Sequence, residues 1–272
     1  RQGSSGGTGA AVAASFGVVG LRTDTGNSIR GPSSHNALVG IRSTIGLTSR
    51  DGIVPLAFSH DIGGPMARTV ADAVAVFDVL AGTDPADPTT VEADSLRAVD
   101  YNQFLDANAL ASASIGVVRQ IVDRESGDPR MRDLLNGALD DLRAAGAQIV
   151  DPVSIPMLDE TVQFSCRRFR YDINAYLATL GPDAPVKTLT EIVESGRYDR
   201  TVRDRIRRGL EESLEDPGIR CAEQTDNRRL LAQQVTGVLA EEQLDALVYP
   251  TCANVPRLIG EVRTPGGVNR QV

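Results

Sequence analysis

The chain has 272 residues, 41% of them hydrophobic, and a formal net charge of −8. That is enough apolar material for one large domain or two smaller ones, so disorder is not the default; a phosphate backbone would ask for a basic face, so nucleic acid is disfavoured as a partner. No apolar run reaches membrane-spanning length.

Taken in order, Gly3 to Gly7 reads as a tight Gly/Ser loop, and Thr8 to Phe16 as an Ala-rich helix opening behind it. Val18 to Leu21 is a short buried-strand candidate, Thr23 to Ser28 a second polar, glycine-bearing turn, and Val39 to Ile41 another strand. Thr69 to Leu80 is an amphipathic helix, with Val70, Ala73, Val74, Phe77 and Leu80 at helical spacing. Thr69 caps it, Asp72 follows three residues on, and Gly82 stops it before the turns at Asp84-Pro85 and Asp87-Pro88. Ile115 to Arg119 reads as a strand, Pro129 to Ala145 as a helix ended by Gly146, and Ala147 to Val150 as a strand, which makes an α/β unit. From Leu158 to about Ala240 long helical patterns dominate, and their mixed charges mark solvated faces. Leu244 to Tyr249 is an apolar strand leading into Pro250-Thr251.

Scarce residue types narrow the chemistry. Cys166, Cys221 and Cys252 are far apart and odd in number, with no metal-ligand spacing, so they are expected to be reduced thiols in a reducing, cytoplasmic setting. The only histidines are His35 and His60, which leaves no His-based zinc site and does not favour a Ser-His-Asp triad. The single lysine is Lys187, read as a surface residue. The chain opens inside a Gly/Ser motif and closes shortly after Gly266-Gly267-Val268, so both ends are expected to be cut.

Two segments carry chemistry: Gly3-Ser4-Ser5-Gly6-Gly7-Thr8-Gly9 and Thr23-Asp24-Thr25-Gly26-Asn27-Ser28-Ile29-Arg30. A glycine-flanked serine on a tight turn presents its hydroxyl without screening. Main-chain N–H groups beside it can hold an oxyanion, and amide hydrolysis needs both features. Either loop alone can simply turn the chain or bind an anion, and no GxxxxGK[ST] phosphate loop is present.

Together and in order, these segments resemble the amidase-signature family. The resemblance is carried by Gln2 to Gly7, Ala10 to Ala14, Arg22 to Arg30 and Val39 to Thr44. Ser59 to Asp72, with Gly64-Pro65-Met66-Ala67-Arg68-Thr69-Val70, extends it, and Leu244 to Thr251 echoes it late in the chain. The resemblance implies an α/β fold with a mixed twisted sheet flanked by helices. The chain, 1–272, would then be a partial amidase domain. Residues 1–90 would hold the signature core and 158–240 a helical insertion shaping the substrate pocket.

It also implies roles. Ser28 is the nucleophile. Ser4, 24 residues earlier and following a cis peptide bond, relays its proton. Main-chain N–H groups of Thr25, Gly26, Asn27 and Ser28 form the oxyanion hole, and Asp24 and Arg30 hold the loop in shape. The family's third triad member is a lysine upstream of the Gly/Ser loop, where this sequence has no residue; Lys187 lies downstream and is not promoted. Asn27 stands where the family often has a second glycine. It tolerates a left-handed backbone, and its side chain is expected to narrow the acyl side of the pocket. Ser33-Ser34-His35-Asn36 replaces the stretch typical of A-type amidotransferase subunits.

The function implied is hydrolysis of a small-molecule carboxylic amide through a Ser acyl-enzyme, with no metal or organic cofactor; a homodimer is allowed. One alternative is an amidotransferase A-type subunit (glutaminase coupled to tRNA amidation), which needs partner subunits. Another is a catalytically inactive fragment.

Overall fold

The computed structural model describes residues 3–124, 127–158 and 166–256, with the main chain alone at 219 and 220. They divide into two compact units. One lies within 1–51, 62–156 and 233–272, the other within 52–61 and 157–232.

The first unit opens with α1 (Gly6–Ala13), β1 (Val19–Asp24), α2 (Arg30–His35), β2 (Val39–Gly40), β3 (Ile62–Ala67) and α3 (Val70–Leu80). The strands form an antiparallel sheet in the order β1-β3-β2, with Val19 opposite Ala67 and Asp24 opposite Ile62. Ile62, Met66 and Ala67 are buried almost completely.

Sequence reading gave no strand at β3, because Ile62-Gly63-Gly64-Pro65-Met66-Ala67 holds residues that strands usually exclude. The structure shows why they are tolerated. Pro65 has no N–H to offer, but its carbonyl accepts from Ile41 N–H at 3.1 Å. A Cβ at Gly64 would run into the Ile41 carbonyl oxygen, so this close approach of two backbones requires glycine. α3 begins as expected: Thr69 accepts from Asp72 N–H at 3.0 Å.

The same unit contains α4 (Ala93–Leu96), β4 (Ser114–Val117), α5 (Pro129–Ala144), β5 (Gln148–Val150) and β6 (Ala246–Val248). These three strands form a parallel sheet in the order β5-β4-β6. Asp128 caps α5 by accepting from Arg130 N–H at 3.0 Å, and Gly146 ends the helix region at φ +96°. Apolar positions along α5 pack Leu135 and Leu139 against Val117 and Val122. The α/β class therefore stands. Within the described residues its mixed character comes from two three-stranded sheets, one antiparallel and one parallel, rather than from one continuous sheet.

The second unit is helical. It holds α6 (Phe169–Thr179), α7 (Leu189–Ser195), α8 (Arg203–Gly209), α9 (Pro217–Arg220) and the first part of α10 (Ala222–Glu241), which crosses the divide between the units. Ile173, Leu177 and Leu189 form its core. Asp172, fully buried, pairs with Arg168 at 2.6 Å and accepts from Phe58 N–H at 2.9 Å.

The expectation of three reduced thiols is corrected here. Cys166, just before α6, and Cys221, between α9 and α10, are joined in a disulfide with Cα atoms 5.5 Å apart. They stand 55 residues apart, and only the folding of the helices brings them together. Cys252 is a buried thiol outside the disulfide. Among the described residues no helix is long and apolar enough to cross a membrane.

Candidate active site

β1 delivers the polar turn at its C-terminal end, and α2 carries the chain away. The link between α1 and β1 is short, residues 14–18. Helix and strand touch closely: a Cβ at Gly20 would overlap the Thr8 side chain. Ser4 and Ser5 stand immediately before α1. α1 also packs against α2, where a Cβ at Gly9 would lie 3.4 Å from the Pro32 carbonyl oxygen. Ser4 is exposed and the Gly3–Ser4 peptide bond is cis. Ser5 is fully buried, and its hydroxyl has no hydrogen-bond partner among the described residues.

The turn is organised around one carboxylate. Asp24 has no exposed surface. Its Oδ1 accepts from Asn27 N–H at 2.7 Å, and its Oδ2 accepts from Ile29 N–H at 3.0 Å and Arg30 N–H at 3.3 Å. Arg30 Nε donates to Oδ2 at 3.1 Å and Arg30 Nη2 to Oδ1 at 3.3 Å. Arg42 Nη1 adds a bond to Oδ1 at 3.2 Å and another to the Asp24 carbonyl.

Burial alone would push the Asp24 carboxyl up. The hydrogen bond and charge of Arg30, with the N–H groups of Ile29 and Asn27, outweigh it and hold the carboxyl below its ordinary value. An ionised carboxylate can be buried only with such compensation. Asp24 and Arg30 thus form an ion pair within the turn. Arg42 was missed as a second cation on Asp24, although it stands in the quoted Val39 to Thr44 segment. Its distance of 18 residues from Asp24 gave no local cue.

Ser28 is half-buried at the crest of this turn, between Asn27 and the fully buried Ile29. The four N–H donors expected for an oxyanion hole need correction at one position. Asn27 N–H is committed to Asp24 and is not available to a substrate. Gly26 and Ser28 N–H groups make no hydrogen bond among the described residues, and Gly26 is exposed.

Asn27 itself adopts φ +89°, the left-handed region expected for it. Its side chain does not narrow an open pocket. It is wholly buried, with Nδ2 pointing to the Thr251 carbonyl at 3.4 Å and to Cys252 Sγ at 3.8 Å. Beside the turn lies a cleft of about 230 Å³ lined by Arg30, Leu247, Val248, Tyr249 and Thr251.

Three further candidates belong to other elements. His35 closes the last turn of α2, and burial pushes its imidazole below the ordinary value. His60 belongs to the helical unit, where Arg228 and Ser59 contact its ring. Lys187, also in that unit, donates to the Gly181 and Pro182 carbonyls. No group of His, Cys, Asp and Glu among the described residues is arranged to hold a metal ion.

A family model described as Amidase matches residues 3–271. The chain is 37% identical over 274 residues to the A-type subunit of the glutamyl-tRNA(Gln) amidotransferase of Acidobacterium capsulatum, covering 95% of this chain and 55% of that protein. It is 34% identical over 200 residues to a probable amidase of Arabidopsis thaliana, covering 70% of this chain and 37% of that one. Its fold matches the native peptide amidase from Stenotrophomonas maltophilia with a TM-score of 0.76 and 32% identity, over 92% of this chain and 52% of the other. The chain spans about half the length of the amidotransferase protein and of the peptide amidase.

Proposed function

This chain belongs to the amidase family, and from that premise we propose that it carries the nucleophile of an amide hydrolase that works through an acyl-enzyme on Ser28. The observation that supports this best is the way Asp24 shapes the turn. By gathering the N–H groups of Asn27, Ile29 and Arg30, it leaves Ser28 at the crest with the Gly26 and Ser28 N–H groups unengaged beside it. Those two donors can receive the charge that develops on a carbonyl oxygen when a hydroxyl adds to it.

In this reading Ser28 Oγ attacks the amide carbonyl carbon and its proton passes to Ser4. The C–N bond then breaks, the amine leaves with a proton, and water clears the ester. The final base is the lysine implied by the family resemblance, and no residue of this chain is assigned to it. The substrate is a small carboxylic amide. The acyl chain would occupy the cleft beside Arg30 and Tyr249.

Ser28→Ala is expected to lower kcat for a peptide amide by about 10⁴ or more, and Ser4→Ala by roughly 10² to 10⁴. Steady-state hydrolysis of a C-terminally amidated dipeptide checks both. Unchanged rates in Ser28→Ala would refute the assignment.

A second reading is favoured by one observation, the 37% identity to an amidotransferase protein along 95% of the chain. Strict preference for glutamine, together with a co-purifying partner protein, would establish it. Turnover of varied peptide amides would set it aside.

A further inference from the structure

Resting on the reading of Ser28 as nucleophile, we propose that Asn27 is a positioning residue: its side-chain amide clasps the Thr251–Cys252 segment to the nucleophile turn and so sets one wall of the substrate cleft relative to Ser28. Asn27 is tied in three directions at once. Its N–H donates to Asp24, its carbonyl accepts from Gly31 N–H at 2.9 Å, and its Nδ2 reaches across to Thr251 and Cys252, more than 220 residues away in sequence.

The amide can sit only one way round. A carbonyl oxygen accepts but cannot donate, so the NH₂ end must face the Thr251 carbonyl. That orientation leaves Asn27 Oδ1 buried without a partner among the described residues. An orphaned buried acceptor is unfavourable, and so is a left-handed backbone at a residue with a Cβ. Glycine at this position would remove both penalties, at the loss of a buried side chain and of its reach to Thr251 and Cys252. The presence of asparagine is accounted for by that reach.

Its consequence falls on the cleft. Thr251, whose carbonyl Asn27 holds, lines the cleft of about 230 Å³, as does Arg30, three residues beyond Asn27. One side chain thereby joins the turn that bears the nucleophile to a segment that lines the cleft. Opening the clasp would let that segment drift without removing any group that touches the reacting atoms.

Cys252 supplies a readout independent of activity. The other two cysteines are in the disulfide, so Cys252 is the one thiol of the three that can be alkylated. It is 7% exposed, and burial pushes its thiol up, so alkylation in the closed state is slow.

The test compares wild type, Asn27→Gly and Asn27→Ala by iodoacetamide labelling of the folded chain, with urea midpoints measured in parallel. The clasp predicts labelling about tenfold faster in Asn27→Gly at an unchanged urea midpoint, near the upper end of what one hydrogen bond contributes. Asn27→Ala should label faster too, and with a lowered midpoint, because it keeps the backbone strain. Labelling of Asn27→Gly at the wild-type rate would overturn the clasp.

The positioning role is read from kinetics: Asn27→Gly should raise KM for long-chain amides several-fold with kcat held within about twofold. Equal changes in kcat for short and long amides would overturn that role. A wild-type protein that hydrolyses no amide would overturn the functional reading and the positioning role with it, while the labelling result would still decide the clasp.

Discussion

At Asp24, three main-chain N–H groups and two guanidinium groups converge on a single carboxylate with no exposed surface. Because its folded pKa lies below the unfolded value, its stabilising contribution is complete above about pH 4 and is lost as pH falls through the folded value. Asp87, paired with Arg50 at 2.8 Å, is held well below the usual carboxylate range for the same kind of reason and adds in the same direction. Urea unfolding should therefore show a plateau above about pH 5 and a decline below pH 4. Asp24→Asn should lower stability at pH 7 by about 2 kcal/mol, since it leaves two half-buried cations facing a neutral amide, and should flatten the acid limb. Equal midpoints for the two proteins would contradict this account of the turn. The Asp24–Arg30 pair was legible because both residues lie in one short motif. Arg42 and the Asn27–Thr251 contact were not, because they join positions that only the tertiary fold makes neighbours.

Elements were legible where local signals agreed. α3 combines helical spacing with a threonine cap, and α5 runs from Pro129 up to a terminating glycine; the structure places both within a residue or so of the expected bounds. Thr69→Ala should cost about 1 kcal/mol, the usual worth of such a cap, measurable as a shift in the thermal midpoint. β3 was illegible because its composition contradicts its conformation. What makes it a strand is pairing with β1 and β2 on either side, not propensity. Gly64→Ala tests this directly. The new methyl would meet the Ile41 carbonyl oxygen, a main-chain atom that cannot turn aside, so a loss of about 2 kcal/mol or more is expected by urea denaturation. A neutral result would mean that β2 and β3 are not so closely apposed.

Over the whole molecule, the α/β class was readable from the run of strands and helices between Ile115 and Val150, and the family from the first ninety residues. The division of the described strands into two three-stranded sheets was not, since strand order is set by contacts far apart in sequence. The disulfide was hidden for the same reason: a separation of 55 residues carries no spacing signature. Closing a loop of that length stabilises a fold by about 4 kcal/mol in the chain-entropy account. Dithiothreitol should accordingly lower the unfolding midpoint of wild type and leave a Cys166→Ala/Cys221→Ala variant unmoved. The claim on which the functional account rests is that Ser28 is the acylated nucleophile, and mass mapping after treatment with a fluorophosphonate tests it most directly. Trypsin cuts after Arg22 and Arg30 and releases Thr23–Arg30, in which Ser28 is the only serine. The account predicts one adduct, on that peptide, lost in Ser28→Ala; an adduct on another peptide, or one that persists in Ser28→Ala, would contradict it.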